Sequence, residues 1–225
     1  MIDNPQDLTL DELRLALAPA IADSAIFDGW GAEALQMAAE MEGVDPAVAR
    51  LAFKGSASAP DAMAMVTAWI DAIDARMVAE LPKEELATLK IRERIRALVA
   101  FRLEAVEGQE EALRRAMAIM AMPQNARTSL KIGWRSADLM WRQAGDTATD
   151  YNHYTKRTIL AALYASVLTA FINDESEDKA DTLAFLDRRI DNVMQFEKVK
   201  SRFLRSDRET FSVTRFLGRL RYPAR

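Results

Sequence analysis

A long helical run without charge is the feature that most constrains how this chain folds. Residues 158–173 contain no Asp, Glu, Lys or Arg. The run is nevertheless shorter than the roughly 20 apolar residues that a helix needs to cross a bilayer. A helix that is apolar on all sides has to be covered by other helices. The run therefore predicts a buried helix inside a helical bundle.

Helical periodicity extends over nearly the whole chain, and the alternating pattern of strands is almost absent. The predicted fold is therefore all-α, with about nine helices and a C-terminal amphipathic helix. We divide the chain into an N-terminal three-helix unit at 1–58, a bundle at 59–203 and a basic C-terminal helix at 204–225. The predicted helices cover residues 10–22, 31–40, 45–53, 61–80, 82–106, 109–120, 123–144, 150–173, 177–203 and 207–220.

A short three-helix unit followed by longer helices is the layout of TetR-type regulators, whose second and third helices read DNA. Charge argues against that function here. Residues 1–50 carry ten acidic side chains and only two basic ones, Arg14 and Arg50. Such a surface repels the duplex, because phosphate contacts supply most of the affinity for DNA. We expect no DNA binding and keep a ligand-responsive TetR-type repressor as the alternative.

Composition excludes most catalytic and metal-binding chemistry. The chain has no cysteine and one histidine, His153, so thiolate nucleophiles, cysteine metal sites and most triads are impossible. No Glu-x-x-His pattern indicates a di-iron site, and acidic pairs such as Asp71 and Asp74 are predicted to lie on a solvated face. We therefore predict no enzyme activity, no metal and no cofactor. The N-terminus shows no targeting pattern, which indicates a cytoplasmic protein.

The polar stretch 145–157 joins two predicted helices. Gly145 is expected to end the first, and Thr149 or Asp150 to cap the second. The polar side chains after that cap are expected at a surface or at the mouth of a pocket, because they precede an apolar run. His153 could act in acid–base catalysis, but without a neighbouring nucleophile or metal site an interface role is favoured.

Large aromatic and sulfur-containing side chains precede this stretch. Trp134 and Trp141 lie seven residues apart on one helix face with Met140 beside them. Together with the uncharged helix, including Leu160, Leu163 and Tyr164, they form either ordinary core or the wall of a lipid-sized pocket.

Two further apolar seams suggest contacts outside the bundle. The seam formed by Leu183, Leu186, Ile190 and Val193 suits either the core or a homodimer face. The C-terminal segment combines an apolar stripe with flanking arginines. This pattern indicates contact with an anionic membrane surface, although a docked helix or a disordered tail would also fit. The predicted membrane-contact residues are Phe211, Val213, Arg215, Phe216, Leu217, Arg219 and Leu220.

Several motifs together resemble the Coq-nine family of ubiquinone (coenzyme Q) biosynthesis. The specific part is the block from Gly145 to Asp191, which reads GDTATDYNHYTKR at its start and DKADTLAFLDRRID at its end. Shorter similarities are Phe27-Asp28-Gly29-Trp30, Val44-Asp45-Pro46 and Pro123-Gln124-Asn125. The resemblance spans residues 8–200.

The resemblance implies a TetR-like fold that no longer reads DNA. It also implies an accessory protein that binds isoprenoid quinone intermediates and phospholipids, touches the membrane through its C-terminal helix, and presents its ligand to a di-iron hydroxylase. Its lipid-headgroup arginine corresponds to Arg157. His153 replaces the family's usual tryptophan and buries less apolar area. The surface for the hydroxylase would comprise Met140, Asp150, Asn152, His153 and Tyr154.

Overall fold

The computed structural model describes residues 7–54, 61–147 and 151–206, and this part of the chain contains helices and connections but no strand. The predicted all-α class is confirmed. Two 3-10 turns, Pro123–Asn125 and Glu177–Lys179, precede α8 and α10. The helices are α1 Leu10–Asp28, α2 Ala32–Met41, α3 Pro46–Ala52, α4 Ala62–Glu80, α5 Lys83–Leu86, α6 Ile91–Glu104, α7 Glu110–Met120, α8 Ala126–Gln143, α9 Tyr151–Phe171 and α10 Ala180–Ser206.

Capping residues set several helix ends where the sequence predicts them. The Asp45 carboxylate accepts a hydrogen bond from the Ala47 amide at 2.8 Å, and Pro46 occupies the first turn of α3. Gly145 follows α8 with φ +88°. Its amide donates to the Arg142 carbonyl at 3.1 Å, and the next amide donates to the Trp141 carbonyl at 2.9 Å. These paired bonds form a Schellman motif, so the predicted helix end at Gly145 is confirmed.

The predicted single helix over 82–106 is wrong, because the chain breaks into α5 and α6 between residues 87 and 90. Arg94 holds the connection in place. Its guanidinium donates to the carbonyls of Ala87 and Leu89 and, at 2.9 Å, to the carbonyl of Ala144. It thereby satisfies backbone acceptors at the end of α5 and at the end of α8. The bond from Arg94 to Ala144 joins residues that lie far apart in sequence. Helical periodicity does not predict such a pair.

Residues up to Leu186 form one compact unit and a second unit begins at Asp187, whereas the division at 58/59 stays a prediction. α1 also extends beyond its predicted end at Ala22 to Asp28.

Trp30 links the N-terminal helices to α4 and α7 in one core. Its indole N–H donates to the Ala112 carbonyl of α7 at 2.9 Å, and its ring lies 5.2 Å from that of Trp69 in α4.

The prediction that residues 158–173 are buried on all sides is wrong. One face of α9 is buried and consists of Leu160, Leu163, Val167 and Phe171. The opposite face carries small side chains, and Thr158, Ala162 and Ala165 on it are exposed. The run therefore lacks charged residues on the exposed face of α9 as well as on its buried face.

Asp174 organises the turn between α9 and α10. One carboxylate oxygen accepts from the amide and hydroxyl of Ser176, and the other accepts from the amide and hydroxyl of Thr182 at 2.7 and 2.5 Å. Burial disfavours the charged form of this carboxylate. The hydrogen bonds from Ser176 and Thr182 outweigh that cost, so the pKa of Asp174 lies well below its usual value.

Replacing Asp174 with Asn is expected to lower the free energy of unfolding by roughly 1–3 kcal/mol at neutral pH, because hydrogen bonds to a charged acceptor are lost. A depressed folded-state pKa stabilises the fold above the unfolded pKa of about 3.9 and ceases to do so as pH falls. Urea unfolding between pH 7 and pH 2 should therefore show the two proteins converging below about pH 4. Glu175→Gln, at the exposed neighbouring acid, is the control and should follow the wild type. A gap between Asp174→Asn and the wild type that does not depend on pH would contradict this account.

Candidate functional site: an apolar cavity beside an aromatic patch

An apolar cavity of about 560 Å³ lies among α4, α6, α7, α8 and α9. This volume falls within the range of small-molecule binding sites in proteins. Most of its walls come from hydrophobic or small side chains. Its lining includes Trp69, Ile70, Ile73, Val106, Leu113, Met117, Met120, Leu130, Trp134, Ala161, Ala165 and Leu168.

The cavity opens between α8 and α9. Leu130 lines it and is 77 % exposed, so this side chain marks the mouth. Space along the opening results from small residues on both helices. Gly133 of α8 lines the cavity, and a Cβ atom built there meets no heavy atom within 4 Å. Ala161 and Ala165 face the same space from α9.

Polar side chains gather on the buried side of the cavity. Arg102 of α6 is 2 % exposed and forms an ion pair with Asp74 of α4. The other Asp74 oxygen accepts a hydrogen bond from the Ser136 hydroxyl at 3.0 Å. The Arg102 Cζ atom lies over the ring of Tyr164, 4.9 Å from its centroid. Arg102, Ser136 and Tyr164 line the cavity. We name Asp74, Arg102, Ser136 and Tyr164 the polar cluster.

An aromatic patch adjoins the mouth and consists of Trp134, His153 and Tyr154. The ring of Tyr154 lies 5.9 Å from Trp134 and 5.0 Å from His153, and Tyr154 is 62 % exposed. Trp134 also lines the cavity. One side chain therefore belongs to both the cavity wall and the surface beside it. Exposed aromatic groups of this kind are enriched in protein interfaces.

Arg157 lies beneath the patch and is buried, so the expectation of a surface or pocket-mouth position is wrong for this residue. Its Nε donates to Asp138 at 2.5 Å, and another guanidinium nitrogen donates to Asp146 at 3.1 Å and to the His153 carbonyl at 3.1 Å. The two acids lie on α8 and in the connection that follows it. Arg157 does not line the cavity, because its donors are turned toward these acceptors.

The structure places only some of the other residues predicted for lipid binding in the cavity wall. Trp134 and Tyr164 line the cavity. Leu160 and Leu163 pack into the core on the opposite face of α9. Trp141 lies outside the cavity lining, and its indole N–H donates to the Lys156 carbonyl at 3.0 Å. Helical periodicity predicts that these residues lie on helices. It does not predict which face of α9 borders the cavity.

The residues predicted for partner binding are divided as well. His153 and Tyr154 lie in the aromatic patch. Met140 is fully buried. Its predicted place on a contact surface is therefore wrong, because a core side chain offers no area to a partner. Asp150 and the side chain of Asn152 lie outside the described residues, as do the membrane-contact residues Phe211, Val213, Arg215, Phe216, Leu217, Arg219 and Leu220.

The polar cluster is not predicted from the sequence. Asp74 was expected on a solvated face together with Asp71, yet Asp74 is buried and paired with Arg102. A signal was available, since Asp74 falls among the buried apolar positions of α4, such as Ile73 and Met77. Its partner Arg102 could not be identified from sequence, because the pair joins two helices.

The described residues contain no group of three or more His, Cys, Asp or Glu side chains that could hold a metal ion. No helix among these same residues has the length and hydropathy needed to cross a membrane.

The arrangement defines a class of protein: an all-α bundle with an apolar cavity at its side. Its backbone has the TetR fold. A solved TetR transcriptional regulator from Nitrosomonas europaea matches it with a TM-score of 0.62 and 22 % identity over 79 % of this chain and 95 % of the regulator. This similarity concerns the fold alone.

Sequence comparison then gives the family. The COQ9 family profile matches residues 126–197, a segment that includes all of α8 and α9. The ubiquinone biosynthesis protein COQ9 of Rattus norvegicus, a mitochondrial protein, is 33 % identical over 74 % of this chain and 54 % of its own length. The Homo sapiens protein of the same name is 29 % identical over 82 % and 58 %. The chain spans little more than half the length of these relatives. It belongs to the COQ9 family.

The burial of Arg157 predicts a large structural effect of its removal. Replacing Arg157 with Ala is expected to destabilise the protein by roughly 3–5 kcal/mol, because Asp138 and Asp146 lose a buried partner. Arg142→Ala is the matched control. Arg142 pairs with Asp138 at 2.6 Å but is 59 % exposed, so its loss should cost about 1 kcal/mol or less. Chemical unfolding measures the free energy of unfolding of both variants. Equal losses of stability would contradict a special contribution of the buried ion pairs of Arg157.

Proposed function

We propose that this protein is a non-catalytic accessory factor of ubiquinone biosynthesis that binds an isoprenoid lipid and presents it to a di-iron hydroxylase. The observation that carries the proposal is the position of Trp134, which lines the apolar cavity and belongs to the aromatic patch. A ligand in the cavity would therefore lie next to the surface on which a partner could dock.

The cavity supports the lipid-binding part of the proposal. Its walls are mainly apolar, and its volume of about 560 Å³ suits part of an extended apolar chain. The exposed Leu130 at the mouth leaves an opening through which the rest of a long ligand can emerge. Met117 and Met120 line another side, and flexible thioether side chains adapt to ligands of different shape.

The aromatic patch supports the partner-binding part. Tyr154 offers a large exposed ring that is held from the side by Trp134 and His153. Aromatic residues that are already fixed in position lose little conformational entropy on binding, which favours them as interface anchors. His153 contributes a smaller apolar area than a tryptophan would, so Tyr154 and Trp134 are the principal anchors of the proposed surface.

Membrane association completes the proposal. The C-terminal segment, with an apolar stripe and arginines from Arg208 to Arg225, would hold the protein at an anionic bilayer where its lipid ligand is dissolved. Homodimer formation and a cytoplasmic location at the inner face of the membrane stay predictions. The rat and human relatives are mitochondrial proteins by name.

A TetR-type repressor is the competing function, and the surface of α3 argues against it. Val48 and Leu51 are exposed on that helix, which would be the DNA-reading helix of a TetR protein. Apolar side chains make no phosphate contacts, and the acidic charge of residues 1–50 opposes DNA. Salt-sensitive, sequence-selective binding to DNA in a titration would establish the repressor instead.

Filling the cavity should abolish lipid binding without unfolding the protein. Gly133→Leu places a side chain in open space at the cavity wall, and Gly133→Ala places a smaller one. We expect isoprenoid lipid captured from vesicles to fall slightly for Ala and at least about tenfold for Leu, because the ligand and the new side chain occupy the same volume. Mass spectrometry of the extracted lipid measures the bound amount.

Ala118→Leu is the matched control for the filling variants, because Ala118 is exposed on α7 and does not line the cavity. It should capture as much lipid as the wild type. Thermal unfolding of all variants excludes a trivial loss of fold. Undiminished capture by a folded Gly133→Leu protein would count against the cavity as the lipid site.

Tyr154→Ala should weaken binding to the hydroxylase while leaving lipid capture unchanged, because Tyr154 is exposed and does not line the cavity. We expect a loss of roughly tenfold or more in affinity, as for an aromatic interface anchor. Trp134→Ala should reduce both activities, since Trp134 belongs to both features. Surface-plasmon titration with the hydroxylase and the capture assay measure the two effects, and equal loss of both in Tyr154→Ala would place Tyr154 in the lipid site.

A further inference from the structure

We propose that the surface around the cavity mouth contacts an anionic lipid bilayer directly, so that the cavity opens toward the bilayer instead of toward water. This surface consists of Arg127, Leu130 and Lys131 of α8 together with the exposed side of α9, and we name it the mouth face. The proposal rests on the membrane association proposed above and adds a second contact, which is separate from the C-terminal segment.

Helical spacing places the α8 residues of the mouth face on one side of the helix. Arg127, Leu130, Lys131 and Trp134 follow the spacing i, i+3, i+4 and i+7. Leu130 is 77 % exposed and lines the cavity, as does Trp134. Arg127 and Lys131 are exposed beside them. A large apolar side chain at the opening is therefore flanked by two cationic side chains.

The exposed side of α9 continues the mouth face without charge. Thr158, Ala162 and Ala165 are exposed on this helix, and all three line the cavity. None of the described residues that line the cavity is acidic. Acyl chains can cover such a surface at low cost, because no charged group has to be removed from water.

The charge of α8 and α9 is opposite to that of the chain as a whole. Four basic side chains on α8 and two on α9 stand against one acidic side chain, Asp138. The whole chain has a net charge of −4. The two helices that border the mouth are therefore its cationic side, which complements an anionic surface.

Arg127 and Lys131 are the bases that remain available on these helices. The other four form ion pairs with Asp71, Asp138 or Asp146. The side chains of Arg127 and Lys131 form no ion pair and no hydrogen bond with the residues that the structure describes. Long cationic side chains can hold phosphate groups at the bilayer surface while their methylene stems and Leu130 enter its apolar edge. Each such base strengthens binding to an anionic bilayer about fivefold.

The mouth face leaves the aromatic patch accessible. His153 and Tyr154 lie in the first turns of α9, and the exposed residues of the mouth face follow them along the helix from Thr158 onward. Trp134 contacts Tyr154 and lines the cavity, so it lies where the two surfaces meet. A partner on the patch therefore docks beside the bilayer and not over the mouth.

A single fluorescent label tests the contact in the full chain. The chain contains no cysteine, so Leu130→Cys gives one site for a nitrobenzoxadiazole label. Val48→Cys is the matched control, because Val48 is also exposed but lies on α3. Vesicles of phosphatidylglycerol and phosphatidylcholine carry a doxyl-labelled phosphatidylcholine that quenches on contact. We expect a loss of fluorescence for the label at Leu130 and almost none for the label at Val48.

Charge reversal provides the second measurement. Arg127→Glu with Lys131→Glu should weaken binding to the same vesicles at least about tenfold at low salt, because two attractive charges become repulsive. Lys54→Glu with Lys83→Glu changes the net charge equally at exposed lysines outside the mouth face and should have a much smaller effect. Vesicle sedimentation gives the affinities, and circular dichroism verifies that the variants fold. The difference should shrink at high salt.

The outcomes distinguish this contact from membrane association in general. Quenching at Leu130 but not at Val48, together with a loss specific to the Arg127 and Lys131 variant, supports the mouth face. Vesicle binding without quenching at Leu130, or equal losses in the two charge-reversed variants, would overturn it and leave the C-terminal segment as the membrane contact. A full chain that ignores the vesicles would overturn the proposed membrane association and this inference with it.

Discussion

The buried ion pairs of Arg157 hold α8 and α9 together, and the proposed function depends on these two helices. This arginine on α9 binds Asp138 of α8 and Asp146 of the connection between the two helices. It thereby sets how α8 and α9 meet, and these two helices provide the mouth of the cavity and all three residues of the aromatic patch. A buried arginine with two carboxylate partners tolerates little displacement, because each partner left unpaired carries a desolvation cost.

The cavity results from the choice of small residues where two helices approach each other. Gly133, Ala161 and Ala165 leave space that larger side chains would fill. The opposite face of α9 uses Leu160, Leu163 and Phe171 to anchor the helix in the core. The helix is therefore stabilised by the core on one side and borders the cavity on the other. This division explains how a run without charges can remain partly exposed.

Family membership and geometry contribute different parts of the functional account. The COQ9 relatives indicate the pathway, and the TetR-like backbone indicates only the fold. The geometry supplies the position of Trp134, which belongs to both the cavity wall and the aromatic patch. The resemblance assigns Arg157 to a lipid headgroup, whereas the structure buries this residue away from the cavity. Its guanidinium instead joins α9 to α8 and to the connection between them through Asp138 and Asp146.

The sequence by itself determined the helical class, most helix ends and the family. These features depend on local chemistry: Asp45 and Pro46 start a helix, and Gly145 ends one because glycine adopts a positive φ at low cost. Only the tertiary structure decided which side chains line a cavity and which are buried. The pairing of Arg102 with Asp74, the break held by Arg94 and the burial of Met140 all depend on contacts between separate helices. The periodicity of one helix shows that it has an apolar face, but it does not show what that face meets.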